Sequence, residues 1–189
     1  MQEGAHLVGV VSTEGGPLLI ADRELAAGWT GAFGTDYQRA CDLFDADPDV
    51  PGGPVALNGG WGMVWDMPTG TAEVWRRGAA QLTISRPWVD PDDVTSGQLA
   101  DEPPRRAARF GQLEIRSGWL LIVWAAEEGR EASFTAPGDG VALDLSIGHA
   151  GLIVAVPVGQ YALAHDEVEI ASGSSRRCFI DLVGAGSNK

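Results

Sequence analysis

The chain has 189 residues, of which 44% are hydrophobic and 21% are charged, and its formal net charge is -13. The hydrophobic content is typical of a folded globular protein and excludes an intrinsically disordered chain. Surplus carboxylates repel a phosphate backbone, so the charge argues against nucleic-acid binding and favours a basic protein as partner. The same charge can also serve only to keep the protein in solution, and both interpretations stay open at this stage.

The sequence predicts no membrane segment and no secretory signal. The longest apolar runs, at residues 119–126 and 152–158, are far shorter than the roughly 20 residues of a transmembrane helix. The N-terminus lacks the basic and apolar regions of a signal peptide. We therefore expect a cytoplasmic protein without membrane contact. Cys41 and Cys178 stand far apart without a second ligand nearby, which predicts neither a disulfide framework nor a zinc site.

The chain begins with the pattern of a hairpin. Residues 6–12 and 17–21 are apolar and predict two strands. Between them Gly15 and Gly16 can adopt the positive φ angles of a tight turn. The pattern therefore predicts that the two strands pair with each other.

Two short helices follow. Asp22 can cap a helix over residues 23–27, and Thr35 can cap a second helix. Residues 45–54 are rich in Asp, Pro and Gly, which predicts a loop. Side chains that share one face of the second helix, at spacings of four and three, are Tyr37, Cys41 and Phe44.

From residue 55 onward the pattern indicates short strands separated by glycine. Within residues 80–86 Leu82 and Ile84 alternate with polar residues, which predicts a sheet with one face in water. Residues 87–104 are rich in proline and acids and predict a long surface connection. The other strands predicted before this connection are residues 55–57, 62–67 and 71–76.

The last part of the chain predicts strands almost continuously. Residues 119–124 form an apolar run that is typical of a strand buried on both faces. The fold class is therefore mainly β (α+β at the margin), with antiparallel sheets in sandwich or barrel-like packing and two short helices near the N-terminus. We expect a β-rich unit at 1–90 and an antiparallel β unit at 105–189, which can pack as one globular domain.

The spacing of Asp45, Asp47 and Asp49 is that of the first ligands in a calcium-binding loop. The full motif needs Gly and then a bidentate Glu, where this chain has Val50 and Ala56. The sequence therefore predicts no metal site here and a solvated acidic loop instead.

No pattern in the chain predicts catalysis. His6, His149 and His165 are scattered, and none is paired with a second ligand at metal-binding spacing. The sequence contains neither a nucleophile elbow nor a glycine-rich phosphate-binding loop. We therefore predict no catalytic, metal or cofactor site, and a protein that is not an enzyme.

Seven tryptophans are many for a chain of this length and suggest either core packing or a binding surface. Trp119 and Trp124 fall in the buried run. Trp61, Trp65 and Trp88 stand beside Gly or Pro, where they can be exposed, although the core is the favoured location for each one alone. If turn tryptophans line one face, the protein is instead a carbohydrate- or small-ligand-binding β-sandwich.

The N-terminal region resembles a known family. The segment at residues 11–20, which contains Gly15-Gly16-Pro17, resembles the opening of the immunity protein 21 family of bacterial polymorphic toxin systems. The resemblance covers about the first 45 residues. It implies a cytoplasmic protein that binds and neutralises a toxin without catalysing a reaction. The further residues that carry it are Arg23-Glu24-Leu25, Trp29, Thr35-Asp36-Tyr37 and Arg39-Ala40-Cys41.

If the partner is a basic toxin, acidic clusters are the natural binding surface. Exposed aromatic residues can add anchoring contacts to such a surface. The sequence leaves the identity of the toxin and the oligomeric state open. The candidate partner-binding residues are Asp45, Asp47, Asp49, Asp90, Asp92, Asp93, Asp101, Glu102, Trp61 and Trp88.

Overall fold

The computed structural model describes residues 5–89, 102, 104, 107–129, 140–144, 150–170 and 173–185. In these ranges the chain forms two six-stranded sheets in which every neighbouring pair of strands is antiparallel. The sheets pack face to face as an open sandwich rather than a closed barrel. The prediction of a mainly β protein with two short helices near the N-terminus is confirmed.

Sheet 1 has the strand order β1-β5-β6-β12-β11-β7, and sheet 2 has the order β3-β4-β2-β8-β10-β9. The helices and the single 3-10 turn of the described ranges all lie between β2 and β3. In chain order the elements are β1 (His6–Thr13), β2 (Leu18–Asp22), α1 (Arg23–Ala26), the 3-10 turn Gly31–Phe33, α2 (Asp36–Ala46), β3 (Gly52–Leu57), β4 (Gly60–Trp65), β5 (Gly70–Arg76), β6 (Gln81–Val89), β7 (Ala108–Ile115), β8 (Trp119–Trp124), β9 (Gly140–Asp144), β10 (Ala150–Ala155), β11 (Gly159–Ile170) and β12 (Gly173–Ala185).

Both sheets combine strands from the two predicted units at 1–90 and 105–189. In sheet 1, β6 pairs with β12, and in sheet 2, β2 pairs with β8. Each sheet therefore depends on both ranges for its hydrogen bonding. Among the described residues no helix has the length and apolar character needed to cross a membrane.

The main core lies between the two sheets. Alternate residues of each strand point inward, as the pleat of a strand requires. Val74, Ile84 and Leu163 of sheet 1 meet Ile20 and Ile122 of sheet 2, and all five side chains are buried. These side chains belong to one apolar layer between the two sheets.

The outer face of sheet 2 is covered by the helical segment after β2. Trp29 and Ala40 of this segment pack against Leu19, Leu121 and Ile153 of the sheet. The indole Nε1 of Trp29 also donates a hydrogen bond to the Ala125 carbonyl, at 2.7 Å. The central strands of sheet 2 are therefore buried on both faces, which confirms that prediction for residues 119–124.

The predicted hairpin of the first two strands is wrong. β1 pairs with β5 in sheet 1, whereas β2 pairs with β4 and β8 in sheet 2. Gly15 and Gly16 do adopt positive φ angles, of 120° and 95°. Their turn carries the chain from one sheet to the other.

The predicted loop at residues 45–54 is shorter than expected. Helix α2 continues to Ala46, and β3 already begins at Gly52. A Cβ atom on Gly52 would lie 2.4 Å from the Val64 carbonyl oxygen, and one on Gly53 would lie 2.9 Å from the Leu43 side chain. These glycines therefore allow β3 to pack closely against its neighbours. In the sequence, the same glycines had indicated a loop.

Strand β6 is longer than predicted, because it includes Pro87 and ends at Val89. Pro87 pairs with Ser175 of β12 beyond the part of β6 that pairs with β5, so it has a strand neighbour on one side. Proline is tolerated at such a position because no ladder bond is lost on the open side.

The predicted wet face of β6 is also only partly correct. Gln81 is exposed, but Thr83 and Ser85 are buried. Phe179 lies opposite Thr83 and Arg177 lies opposite Ser85, and these large neighbours cover them.

The two predicted helix caps have different outcomes. The Asp22 carboxylate accepts hydrogen bonds from the backbone amides of Glu24 and Leu25, which confirms the first cap. Thr35 stands at the N-cap position of α2 without a side-chain capping bond in the described part of the chain.

Candidate functional site

The first acidic cluster of the sequence is exposed on the surface. Asp45 lies in the last turn of α2, Asp47 and Asp49 lie in the segment between α2 and β3, and all three are exposed. The Asp47 carboxylate accepts a hydrogen bond from the backbone amide of Asp49, at 3.2 Å. The segment is therefore locally ordered and presents its carboxylates to solvent.

Of the second acidic cluster, at residues 90–102, the structure describes Glu102 alone. Glu102 is half-buried, and its carbonyl oxygen accepts a hydrogen bond from Nη1 of Arg177 on the outer face of sheet 1, at 2.6 Å. Glu102 thus contacts that face through its backbone. The remaining members, Asp90, Asp92, Asp93 and Asp101, lie outside the described residues.

Hydrogen bonds connect the acidic segment to the neighbouring loops of the sandwich. The backbone amide of Asp66 donates to the carbonyl of Pro51, at 2.9 Å. The Asp66 carboxylate accepts from Nη1 of Arg176 at 2.9 Å, and Nε of Arg176 donates to Glu167 at 3.0 Å. These contacts connect the α2–β3 segment, the β4–β5 connection and the β11–β12 hairpin at one end of the molecule.

Trp88 belongs to this same end. Its side chain is 42% exposed, and the guanidinium of Arg86 lies 5.0 Å from its ring centroid. The ring borders a cavity of about 330 Å³ that is also lined by Pro68, Glu167 and Arg176. An exposed aromatic ring beside a shallow cavity is a usual anchor point for a protein partner.

We call this region the acidic end. Among the described residues its carboxylates outnumber its basic groups, which are Arg86 and Arg176, and Arg176 is held between two of the acids. It is defined by Asp45, Asp47, Asp49, Asp66, Trp88, Glu167 and Glu169.

Trp61 lies at the opposite end. It pairs with Ala56 at the tip of the β3–β4 hairpin, is 61% exposed and borders a second groove. β11 runs from Gln160, which lines the groove at Trp61, to Glu167, which lines the cavity at Trp88. The structure therefore separates the two candidate tryptophans by most of the length of one strand.

The third turn tryptophan, Trp65, is completely buried and belongs to the core. Its Nε1 donates a hydrogen bond to Nδ1 of His165, at 3.2 Å. Burial, together with the nearby positive charge of Arg176, lowers the pKa of His165 below its ordinary value. This histidine is therefore neutral near pH 7 and serves as a hydrogen-bond acceptor in the core.

The titratable groups of the described residues do not form a metal-binding group of three or more. Cys178 is buried, and burial raises the pKa of its thiol well above the ordinary value. Cys41 is half-buried, and burial raises the pKa of its thiol as well. Both cysteines are therefore protonated near neutral pH, when they are weak nucleophiles.

Sequence reasoning missed a buried ion pair on the outer face of sheet 1. Nε and Nη2 of Arg177 donate to the two carboxylate oxygens of Asp166, at 2.8 and 2.7 Å, and both side chains are buried. The two residues face each other on β11 and β12. Only the register of these strands brings them together, and nothing local in the sequence indicates it.

The chain was compared with protein-family models, curated proteins and solved structures, and none of the three comparisons gave a match. The resemblance of the first 45 residues to the immunity protein 21 family therefore stays a prediction.

Proposed function

We propose that the protein is an immunity protein that neutralises a basic bacterial toxin by stoichiometric, non-catalytic binding in the cytoplasm. The observation that carries this proposal is the acidic end, where the exposed ring of Trp88 borders a cavity that the carboxylates of Glu167 and Glu169 also line. The resemblance at the N-terminus supports the same function independently of this surface.

The acidic end has the composition expected of a protein-binding surface. Interface energy is usually concentrated in a few aromatic or arginine side chains, and charged groups at the rim select the partner. Trp88 supplies the aromatic group, and Asp45, Asp47 and Asp49 supply the charged rim. Because Asp66 and Glu167 hold Arg176 between them, this part of the surface is already ordered before a partner binds.

The net charge of -13 supports the same partner chemistry. A field of this sign accelerates the encounter with a positively charged surface and weakens as salt increases. Binding of a basic toxin is therefore expected to lose association rate at high ionic strength, while contacts of Trp88 mainly slow dissociation.

The proposal can be tested by affinity capture from the source bacterium with the tagged protein at low and at high salt. We expect one basic protein to be recovered in near-equal amount at low salt and to be lost at high salt. Co-expression with the parent chain should then abolish the toxicity of that protein to a bacterial host. A captured protein that is harmless when it is expressed alone contradicts the proposal.

The surface is tested with the variant Asp45→Lys/Asp47→Lys/Asp49→Lys and with Trp88→Ala. We expect the triple variant to bind the captured protein at least about tenfold more weakly at low salt, roughly 1.4 kcal/mol, because the reversed rim charges repel a basic partner and slow association. The control is Glu24→Lys, a reversal of an exposed acid on α1 that leaves the acidic end unchanged. If both surface variants bind as the parent does, the acidic end is not the binding site.

A further inference from the structure

The groove beside Trp61 has the features of a ligand site that is separate from the acidic end. It encloses about 420 Å³, which is within the range of small-molecule sites, roughly 300 to 1,000 Å³. Its apolar wall consists of Trp61 and Pro54 from the β3–β4 hairpin and Leu25 from α1. Trp61 presents a large aromatic surface to water at this wall, since 61% of the residue is exposed.

The wall is held by secondary structure. Trp61 pairs with Ala56 across the hairpin, and the hairpin continues into buried strand at Met63 and Val64. A Cβ atom on Gly60 would lie 2.7 Å from the Leu25 side chain, so glycine there lets α1 pack against the hairpin. The indole is therefore mounted on a fixed element, which reduces the entropy that a ligand must overcome.

The opposite wall is polar and comes from sheet 1. Gln112 on β7 and Gln160 on β11 line the groove, and both are exposed. A primary amide carries both donors and an acceptor, so it can bond to a hydroxyl group in either direction. Amides that line the same groove as an exposed indole provide what a sugar ring needs, because its C–H face stacks on the indole and its hydroxyls point to the side.

The charges in this wall cancel. Nε and Nη2 of Arg116 donate to the same oxygen of Glu114, at 2.9 and 2.5 Å. A cationic or anionic ligand would meet a like charge in this pair. A neutral polyol can donate to the carboxylate and accept from the guanidinium, so the wall favours an uncharged ligand.

We propose that this groove binds a neutral oligosaccharide, with one sugar ring stacked on Trp61 and its hydroxyls bonded to Gln112, Gln160 and the Glu114–Arg116 pair. This activity goes beyond toxin binding and uses the opposite end of the sandwich. It gives the protein a second, independent binding surface.

The test is isothermal titration of the parent chain with neutral trisaccharides of different sugars and linkages: cellotriose, triacetylchitotriose, xylotriose, mannotriose and maltotriose. We expect at least one of them to bind with one-to-one stoichiometry at concentrations up to roughly 10 mM, which detects even weak specific complexes. If none of the five binds, the proposal is wrong.

The variant Trp61→Ala should weaken that binding by about tenfold or more, the scale of losing one aromatic stacking partner. Gln112→Ala and Gln160→Ala should each weaken it by a smaller factor. The matched control is Trp88→Ala, which removes an exposed tryptophan at the other end and should leave the affinity unchanged. Because Trp61 is exposed, its variant is expected to keep the parent's unfolding midpoint, which checks the fold.

Two further outcomes decide the proposal. Equal affinity of the parent and Trp61→Ala overturns it. The variant Asp45→Lys/Asp47→Lys/Asp49→Lys should bind the sugar as the parent does, since its substitutions lie at the acidic end. The saccharide site and toxin binding are thereby tested separately, and either can fail alone.

Discussion

The two sheets have the same number of strands but bury their outer faces differently. The outer face of sheet 2 is apolar and lies under Trp29 and the helices, so β8 is apolar along its whole length and β2 is apolar as far as Asp22. The outer face of sheet 1 carries polar and charged groups, several of which are nevertheless buried. Sheet 2 is therefore stabilised on this face by apolar contacts, and sheet 1 by polar contacts that depend on exact pairing.

The polar layer of sheet 1 consists of matched groups. The Ser85 and Ser175 hydroxyls lie 2.8 Å apart, and Asp166 and Arg177 form two hydrogen bonds. Burial of such groups is unfavourable unless each finds a partner. The comparison shows why substitutions on the two outer faces should lower stability for different reasons. On sheet 1, removal of one polar group leaves its partner buried without a hydrogen bond, whereas on sheet 2 removal of a side chain loses apolar contacts.

The largest effect is expected from Arg177→Met. This variant leaves the buried Asp166 carboxylate without its bidentate partner, which costs about 3 to 5 kcal/mol of unfolding free energy. Urea unfolding measures this loss. The double variant Arg177→Met/Asp166→Leu should recover part of it, since no charge is then left buried. A double variant that is less stable than the single one contradicts this account of sheet 1.

A somewhat smaller effect is expected on the outer face of sheet 2. Leu121→Ala removes a completely buried side chain under the helical segment and should cost about 2 to 5 kcal/mol. Leu7→Ala is the matched control, because Leu7 is 49% exposed on the edge strand of sheet 1 and its truncation should cost about 0.5 kcal/mol or less. Equal losses in urea unfolding would remove the distinction between a covered and an open face.

The contact between the sheets at Asp22 should show an intermediate effect. This buried carboxylate caps α1 and also accepts hydrogen bonds from the backbone amides of Arg116 and Ser117, at 2.7 and 2.8 Å. Asp22→Ala leaves these donors without an acceptor and should cost about 2 to 3 kcal/mol. Thermal unfolding measures the loss, and Glu24→Ala, an exposed position on the same helix, should leave the midpoint nearly unchanged.

The smallest effect is a pH dependence at His165, which connects sheet 1 to Trp65 of sheet 2. Burial and Arg176 lower its pKa in the folded state, so the unfolded chain takes up this proton first as the pH falls. The stabilisation that follows from the lowered pKa of His165 is fully present above about pH 6.5. It decreases as the pH falls from there to the pKa of the folded state. Unfolding midpoints at about pH 7.5 and pH 5.5 should differ less for His165→Gln than for the parent. An identical difference in both proteins contradicts this role.

Much of the local structure followed from sequence patterns. The apolar run at 119–124 predicted a strand buried on both faces, and Asp22 predicted a helix cap, because these signals depend only on neighbouring residues. The glycines at 52 and 53 were misleading, because glycine is used both in loops and where elements pack closely. Only the position of α2 against β3 distinguishes the two uses.

The candidate sites were partly predictable for the same reason. Composition identified the exposed acids at 45, 47 and 49 and suggested that some tryptophans are exposed. It could not show that Trp61 and Trp88 lie at opposite ends while Trp65 is in the core. Exposure depends on which strands lie across from a residue, and that is a property of the assembled sheets.

The sequence by itself determined the class of the fold, the short helices, the acidic character and the burial of β8. Hydrophobic pattern, turn residues and charge are local quantities, so they can be deduced from residues a few positions apart. Tertiary structure alone decided that β1 and β2 belong to different sheets, that Arg177 meets Asp166, and that Gln112 and Gln160 line one groove with Trp61. The first and third of these arrangements join residues far apart in the chain, and the Arg177–Asp166 pair depends on the register of one hairpin, which neighbouring residues do not fix.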